Sequence, residues 1–270
     1  MDKKIVIITG ASSGIGKETA LLLAKNGYTV YGIARRADKL AEIAQADINT
    51  IQMDITDELA VESAVKEIYQ KEGKIDILIN NAGYGEYGAI EDVPMETAHK
   101  QMNVNLFGFV NITKLVLPIM RENKSGTIVN ISSIGGKMAS PMGGWYYASK
   151  FAMEAISDSL RLEVKQFGIN VIVIEPGGIK TEWGSIADAT MMQASNNSPY
   201  TKLAHKAHRA TALQNKLPEP IVIAKLIKKA IETKHPKARY VKGFMAKPIL
   251  FLKRWCSDKM FDKLVMSQFE

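Results

Sequence analysis

The stretch that decides the fold is Thr9-Gly10-Ala11-Ser12-Ser13-Gly14-Ile15-Gly16, which ends an apolar run and opens a segment with helical spacing. Its glycines let the backbone pass close to a ligand, and the first turn of a helix offers unpaired N–H groups to an anion. A glycine-rich turn between a strand and a helix is typical of sites for dinucleotide phosphates. Three residues separate the first two glycines, so the spacing differs from GxGxxG, and a tight turn without a ligand is the alternative. The predicted phosphate contacts are Gly10, Ser12, Ser13, Gly14, Ile15 and Gly16.

Around this turn, short apolar runs alternate with longer segments of helical periodicity. Apolar strands separated by helices are typical of an α/β fold in which a mainly parallel sheet is covered on both faces. The predicted strands are Ile5–Thr9, Thr29–Ala34, Thr50–Met53, Ile75–Asn80, Thr127–Ile131, Asn170–Glu175 and a weaker Arg239–Val241. The predicted helices are Ile15–Asn26, Glu58–Lys71, Met95–Arg121, Trp145–Phe167 and Ile221–Thr233. We expect one domain over residues 1–270, with a substrate lid around 178–220, where no clean period is found, and a C-terminal extension around 240–270.

Composition favours an ordinary globular protein, since 46% of the 270 residues are hydrophobic and 23% are charged. The single cysteine, Cys256, cannot form an intrachain disulfide, and the N-terminus shows no signal-peptide pattern. No stretch has the ~18 uninterrupted apolar residues of a membrane-spanning helix, so we expect a cytoplasmic protein. The formal charge of +7 suits an anionic cofactor. Nucleic-acid binding is not favoured, because acids stand among the basic residues and no aromatic platform accompanies them.

Two arginines stand at the end of the second predicted strand, which reads Ile33-Ala34-Arg35-Arg36. In NAD-binding folds an acid about twenty residues beyond the glycine-rich turn bonds the ribose 2′-hydroxyl, whereas arginine accommodates a 2′-phosphate. Guanidinium groups also pair with phosphate in a bidentate manner. We therefore favour NADP(H) over NAD(H), with Arg35 as the preferred contact and Arg36 as the second. A solvated pair at the entrance of a helix is the alternative.

Tyr146 and Lys150 are four residues apart in a segment of helical spacing, so both side chains point from one face. A tyrosine with the ordinary pKa of ~10 is a poor proton shuttle at neutral pH, and a nearby ammonium is expected to lower that pKa. Tyr147 competes for this role, but the residue four positions after it is the uncharged Phe151. Ser133 ends a predicted strand at the sheet edge where ligands bind, and its hydroxyl could bond a substrate oxygen.

Taken together, these positions resemble the short-chain dehydrogenase/reductase family in its common single-domain form. The matches follow the family's order and approximate spacing over roughly residues 4–182, and no position of the family pattern is missing. They are Thr9–Gly16, Asp54, Asn80-Asn81-Ala82-Gly83, Asn105, Ser133, Tyr146, Lys150, Pro176-Gly177 and Thr181. The resemblance implies a doubly wound Rossmann fold of about seven strands. It also implies an oxidoreductase that transfers a hydride between NADP(H) and a carbonyl or alcohol.

For the cofactor, the resemblance implies a role for each matching segment. Asp54, with Ile55 beside it, would contact the adenine. The segment Asn81–Gly83 would form the floor beneath the adenosine ribose and steady the central strand. The residues that would border the nicotinamide are Pro176, Gly177, Ile179 and Thr181.

For catalysis, the resemblance implies a group of four residues. Ser133 would orient the carbonyl, and Tyr146 would donate or accept the proton. Lys150 would also bind the nicotinamide ribose. Asn105 would hold a helix kink and a water that leads to Lys150. All four are present, so no loss of catalysis is expected, and no metal site is predicted.

The substrate is less well defined by the sequence. The predicted pocket residues are Tyr84, Met138, Met142, Trp145 and Trp183, with Met191 and Met192 in the presumed lid. Methionine and aromatic side chains form adaptable apolar pockets, although packing in the core or an interface would also explain them. We predict a lipophilic ketone or aldehyde, and note a resemblance to steroid- and retinol-type members. The alternatives are an alcohol dehydrogenase working in the oxidative direction and a binding module that senses NADPH without turnover.

The C-terminal stretch Tyr240–Met266 mixes large apolar side chains with lysines and an arginine. It could close over the pocket, pack between subunits or rest weakly on an anionic membrane surface. The first two arrangements are preferred. The resemblance implies a homodimer or homotetramer formed through the long helices Met95–Arg121 and Trp145–Phe167.

Overall fold

The computed structural model describes residues 3–211 and 217–269, and within these residues a single sheet forms the centre of the molecule. Its strands are β1 (Ile5–Thr9), β2 (Thr29–Ala34), β3 (Asn49–Gln52), β4 (Ile77–Asn80), β5 (Gly126–Ile131), β6 (Ile169–Pro176) and β7 (Arg239–Lys242). All neighbouring pairs are parallel, in the order β3-β2-β1-β4-β5-β6-β7. This doubly wound arrangement confirms the fold class predicted from the alternating pattern.

Helices cover the sheet and extend beyond it at the C-terminus. They are α1 (Gly14–Lys25), α2 (Ala37–Ala44), α3 (Glu58–Glu72), α4 (Met95–Met102), α5 (Phe109–Glu122), α6 (Gly144–Val164), α7 (Glu182–Ala194), α8 (Thr201–Thr211), α9 (Ile221–Glu232), α10 (Ala246–Trp255) and α11 (Asp258–Met266). Helix α2 was not predicted, because it has only eight residues and buries little more than Leu40 and Ile43.

Alternate residues of each strand enter two separate cores. On β1, Ile5 and Ile7 pack in a cluster with residues of α3, α5 and α6. Val6 and Ile8 face the opposite way and pack against α1 and α9. Fully burying an aliphatic side chain of this size stabilises the fold by about 1.5–3 kcal/mol. The two apolar layers therefore explain why the strands read as continuous apolar runs.

Buried polar side chains connect the central strands to two helices. Asn80 on β4 donates to Asn130 Oδ1 on β5 at 2.9 Å and to Thr113 Oγ1 on α5 at 3.0 Å. Asn130 Nδ2 in turn donates to Ser157 Oγ on α6 at 2.9 Å. Leaving any of these buried groups without a partner would cost about 1–3 kcal/mol. The network therefore fixes α5 and α6 relative to the sheet.

The predicted helix Met95–Arg121 is interrupted by a π-helical segment, Asn103–Gly108, between α4 and α5. Such segments insert one extra residue per turn and occur frequently at functional sites. By length and composition, Met95–Glu122 is the one helical run of the described chain that could cross a membrane. Its apolar face packs against α3 and the sheet, and it carries the buried polar side chains of Asn105 and Thr113. We therefore interpret it as a core helix.

Two regions expected to be irregular or poorly defined contain helices. The lid predicted at 178–220 contains α7 and α8, and its residues 212–216 lie outside the described residues. Helix α7 begins where the Thr181 side chain accepts the N–H of Trp183 at 3.3 Å. The C-terminal extension consists of α10 and α11. Helix α7 packs against α8, and α10 packs against β7 and α11.

We predict that Gly16→Ala destabilises the fold and weakens cofactor binding. A Cβ at this position would collide with the Gly10 carbonyl oxygen, and overpacking of this kind costs about 1–3 kcal/mol. Urea denaturation and calorimetric titration with NADPH measure the two effects. Gly73→Ala is the control, since Gly73 has φ +70° but nothing within 4 Å of the added Cβ. It should cost about 1 kcal/mol of stability through the left-handed backbone alone and leave cofactor affinity unchanged.

Candidate active site

The turn after β1 leaves no room for side chains. Gly10 has φ +68°, and a Cβ there would lie 2.9 Å from Ala82 Cα. Thr9 Oγ1 accepts the N–H groups of both Asn81 and Ala82 at 3.0 Å. Asn81 Nδ2 donates back to the carbonyl oxygen of Gly10 at 3.2 Å. The structure thus brings the predicted ribose floor, Asn81–Gly83, directly against the glycine turn.

The first turn of α1 is suited to an anion. Its N-cap, Ser13, makes no side-chain capping bond to a described residue, so the first N–H groups of the helix are available to a ligand. Gly14 has φ +54°, and a Cβ there would lie 3.1 Å from Thr181 Cγ2. The buried Ser12 completes the turn. These features fit the pyrophosphate of a dinucleotide.

The two arginines after β2 have different partners. Arg36 Nη2 lies 3.3 Å from Ser12 Oγ in the glycine turn, and its Nη1 lies 2.9 Å from Glu182 Oε2 at the start of α7. Arg35 Nη1 lies 3.6 Å from Asp54 Oδ2. Arg36 is therefore the arginine that reaches the glycine turn, whereas the prediction from the sequence put Arg35 first as the phosphate contact.

Asp54 and Ile55 follow β3 at the same edge of the sheet. The Asp54 carboxylate is fixed by two bonds at Oδ1, from the Thr56 N–H at 2.9 Å and the Thr56 hydroxyl at 2.8 Å. Its second oxygen remains partly exposed. The Ile55 side chain is buried, and a Cβ on Gly108 would lie only 2.9 Å from its Cγ2. Only the backbone of Ile55 can therefore face a cofactor.

Ser133, Tyr146 and Lys150 meet at the carboxyl end of β5. The hydroxyl of Tyr146 is hydrogen-bonded to Ser133, whose Oγ also accepts the Gly135 N–H at 3.0 Å. Lys150 Nζ donates to the Ile131 carbonyl oxygen at 2.8 Å and lies 6.0 Å from the centre of the Tyr146 ring. Tyr146 and Lys150 are both buried. A substrate oxygen placed beside Ser133 would thus meet a phenol that is held in position.

Asn105 connects this group to the loop after β4. Its Oδ1 accepts the Tyr84 N–H at 3.0 Å, and its Nδ2 donates to the Tyr84 carbonyl oxygen at 2.8 Å and to Ser149 Oγ at 3.1 Å. A Cβ on Gly83 would lie 3.1 Å from Asn105 Oδ1 and 3.8 Å from Lys150 Nζ. Asn105 lies in the π-helical segment, which is the kink that the family resemblance implied.

The expectation that Lys150 lowers the pKa of Tyr146 is wrong for this structure. Burial raises the pKa of Tyr146 by more than the hydrogen bond to Ser133 lowers it. The ammonium of Lys150 bonds a backbone carbonyl instead of the phenol. Burial lowers the pKa of Lys150 to about 8, against the opposing charge of Glu154. Without a bound cofactor, Tyr146 is therefore protonated at neutral pH.

Behind Lys150 lies a cluster of charged side chains that the sequence did not reveal, of which Glu154 and Glu175 are buried. Glu154 Oε2 pairs with Lys137 Nζ at 2.9 Å and with Arg239 Nε at 3.0 Å. Arg239 also contacts Asp158 Oδ2 at 2.7 Å and Glu175 Oε1 at 3.3 Å. Burial, together with the charge of Glu154, raises the pKa of Glu175 to about 7. The one available signal was that Glu154 stands four residues after Lys150 on the same helix face.

Aromatic rings form the wall above Tyr146. Their centroids lie 5.0 Å away for Trp183 and 5.7 Å away for both Tyr87 and Tyr147. Trp183 was predicted to line the pocket, whereas Tyr87 was missed. Tyr147, considered only as a competing proton donor, instead bonds Ser140 Oγ through its hydroxyl at 2.6 Å. This wall excludes water from one side of the reactive phenol.

The other predicted pocket residues have varied positions. Met142 is buried in a cluster with Met191 and residues of α8, so it supports the lid from below. Met138 is also buried, while Trp145 and Tyr84 are half-buried. The indole nitrogen of Trp145 is buried with no hydrogen-bond partner among the described residues. Met192 packs at the margin of the same lid cluster.

The residues expected to border the nicotinamide follow β6. Pro176 ends the strand, and the Gly177 N–H donates to the backbone of β7 at 2.9 Å. Ile179 packs partly against the core, and Thr181 begins α7. After β6 the chain therefore runs from the sheet edge, past the glycine turn, to the start of the lid helix α7.

The fold and the site define the class of protein, an α/β oxidoreductase that uses a nicotinamide dinucleotide. The sequence profile of the family described as "short chain dehydrogenase" matches residues 4–191. The chain belongs to this family of short-chain dehydrogenases/reductases.

Three similar proteins cover nearly all of the chain. A 3-ketodihydrosphingosine reductase from Bacteroides thetaiotaomicron is 37% identical over 262 residues, covering 96% of each chain. An NADPH-dependent 3-dehydrocapnine reductase from Ornithobacterium rhinotracheale is 36% identical over 275 residues, covering 97% of this chain and 95% of the relative. The crystal structure of a short-chain dehydrogenase from Streptomyces avermitilis aligns with a TM-score of 0.82 and 28% identity, over 99% of this chain and 96% of that one.

We predict that Glu175→Gln changes how stability depends on pH. In the folded protein Glu175 has a pKa raised from 4.5 to about 7, so it favours folding while protonated, and this contribution is lost as pH rises through about 7. Glutamine keeps the uncharged form at every pH. Relative to Glu175→Gln, the wild type should lose stability between about pH 4.5 and pH 7 in urea denaturation. Glu62→Gln, at an exposed position on α3, should show the same pH dependence of stability as the wild type. If the stability of Glu175→Gln and of the wild type depended on pH in the same way, the prediction would be contradicted.

Proposed function

We propose that this chain is an NADPH-dependent reductase of a lipophilic ketone. The observation that carries the proposal is the buried phenol of Tyr146, which is bonded to Ser133 beneath an aromatic wall. A bound nicotinamide supplies the hydride to the carbonyl carbon. Tyr146 gives its proton to the carbonyl oxygen, which becomes the hydroxyl of the product, and solvent returns a proton to the tyrosinate. The same phenol would act as the base in alcohol oxidation, so the preference for reduction is supported by the similar proteins that are named as reductases.

The surroundings of Tyr146 support a lipophilic substrate. Tyr87, Tyr147 and Trp183 present ring surface, and the lid adds Met191 in an apolar cluster. Burial of apolar substrate groups against such rings favours binding, whereas the rings offer few hydrogen-bond partners to a polyhydroxy compound. The similar proteins that are named as reductases of 3-ketodihydrosphingosine and 3-dehydrocapnine support a ketone as the reacting group.

The preference for NADPH has its own support. No carboxylate stands at the end of β2 to bond a ribose 2′-hydroxyl, and Arg36 reaches the glycine turn. Arg36 is held there by Glu182, so a 2′-phosphate would compete with this carboxylate for the guanidinium. One similar protein is named as NADPH-dependent.

A cytoplasmic homo-oligomer remains part of the proposal. Its support is that Phe107 and Phe151, which lie on the two long helices named for subunit contacts, are largely exposed. Exposed aromatic side chains on a helix face are typical of protein–protein interfaces.

Tyr146→Phe is expected to lower kcat by about 10²- to 10⁴-fold while the Kd for NADPH stays the same, because only the proton donor is lost. The assay follows NADPH absorbance with 3-ketodihydrosphingosine and a panel of ketones of varied polarity. Tyr147→Phe, which loses the hydroxyl bonded to Ser140 and Tyr87 but keeps the ring, should keep most of kcat. Activity confined to small polar sugars, or an unimpaired Tyr146→Phe, would overturn the proposal.

The cofactor preference is tested with two opposite substitutions. Arg36→Ala should weaken NADPH binding about 10- to 100-fold through loss of a charge-assisted contact, and Glu182→Gln should strengthen it a few-fold by freeing the guanidinium. Calorimetric titration with NADH is the matched control, and neither substitution should change it appreciably. Equal binding of NADH and NADPH by the wild type would remove the arginine argument.

A further inference from the structure

Helix α10 carries an exposed face in which aromatic and basic side chains alternate. Lys247, Phe251, Arg254 and Trp255 are all exposed, with 64% of Phe251 and 71% of Trp255 accessible. The two rings are one helical turn apart, with centroids at 6.3 Å. Large aromatic side chains left in water at this density mark an interaction surface rather than a solvated face.

Helix α11 adds a second face of similar character. Met260 and Leu264, one turn apart, are exposed beside the exposed lysines 259 and 263. The helix is attached to the protein by the buried ring of Phe261, which lies 5.1 Å from the Lys253 ammonium. Both helices thus keep a few apolar anchors inward and present further apolar side chains outward.

The charge of this segment is one-sided. Residues 242–266 contain six basic and two acidic side chains, and one of the acids, Asp258, already pairs with Lys253 at 2.8 Å. The excess of basic side chains surrounds the exposed rings of Phe251 and Trp255. Aromatic side chains that enter a headgroup region while lysine and arginine reach the lipid phosphates are typical of helices that lie on anionic bilayers.

We propose that α10 and α11 form a docking surface for an anionic lipid bilayer. A second copy of the chain fits this surface less well, since a two-fold contact would bring equal lysine-rich faces together and lysine is depleted at protein interfaces. An anionic bilayer can contact both kinds of side chain at once. Its acyl chains would pack against the aromatic rings, and its headgroup phosphates would pair with the lysines and the arginine.

The docking surface is attached to the active site on two sides. At its start, Phe244 exchanges backbone hydrogen bonds with Gly178, at 3.1 and 3.0 Å, just beyond the residues that border the nicotinamide. At its end, Phe269 packs in the lid cluster with Met142 and Met191. If the proposed function holds, a bilayer-dissolved ketone would enter beside this surface. The docking itself does not depend on that function.

The test uses the full-length protein without substrate and measures co-sedimentation with two kinds of vesicle. We expect binding to vesicles that contain phosphatidylglycerol, little binding to pure phosphatidylcholine, and loss of binding at high salt. Brominated lipids should quench the fluorescence of Trp255, and Trp255→Phe should remove that quenching. The other tryptophans, Trp145 and Trp183, are half-buried near the active site.

Two double variants separate the contributions. Phe251→Ser with Trp255→Ser, and Lys247→Glu with Arg254→Glu, should each weaken vesicle binding about tenfold or more. Lys66→Glu with Lys225→Glu makes the same charge change on exposed residues of α3 and α9 and should bind like the wild type. Light scattering of each variant measures the oligomeric state, and circular dichroism checks that it is folded.

The outcomes are distinct. Loss of vesicle binding in the two α10 double variants, but not in the α3/α9 control, supports the bilayer surface, whatever the substrate is. Absence of vesicle binding by the wild type, or equal loss in the α3/α9 control, overturns it. A change of oligomeric state in Phe251→Ser/Trp255→Ser assigns the face to a second copy of the chain and also overturns it. Failure of ketone reduction with vesicle binding intact would count against the proposed function alone.

Discussion

The buried ammonium of Lys150 is the interaction on which the arrangement of the active site depends. A charge removed from water must be paired or hydrogen-bonded, or it neutralises. Lys150 meets this requirement with the carbonyl oxygen of Ile131, at 2.8 Å, and with the charge of Glu154 one turn further along α6. The helix is thereby fixed in rotation and height against the end of β5. Tyr146, one turn earlier on the same helix, is consequently set beside Ser133, which follows that strand.

The same requirement extends to the strands β6 and β7 at the edge of the sheet. Glu154 is itself buried, and its charge is balanced by Lys137 and by Arg239, which β7 contributes. Arg239 then reaches Glu175 at the end of β6, where burial near another carboxylate raises the pKa to about 7. A chain of pairings therefore links α6, β6 and β7 at the edge where the substrate must lie. Removing one partner would leave a buried charge behind, which costs far more than a surface pair.

What could be predicted from the sequence was set by local physics. The turn at Gly10–Gly16 and the four-residue spacing of Tyr146 and Lys150 are properties of adjacent backbone, so the doubly wound fold and the family followed from them. The aromatic wall was predicted only in part, through Trp183, since Tyr87 meets Tyr146 only through the tertiary fold. The predicted direction of the pKa shift of Tyr146 was wrong for a related reason. The spacing shows that an ammonium is near, but burial decides whether the pKa is raised or lowered.

The order of Arg35 and Arg36 shows how a lid can alter a site that seems local. Both arginines follow β2, and the sequence alone does not distinguish them chemically. In the structure, Arg36 pairs with Glu182 on α7 and reaches the glycine turn, whereas Arg35 lies beside Asp54. Glu182 begins the helix that also supplies Trp183 to the wall above Tyr146. The phosphate end of the cofactor site and the cover of the reactive phenol are therefore parts of one element. A ligand that takes Arg36 from Glu182 acts on the same first turn of α7 that shapes the substrate pocket.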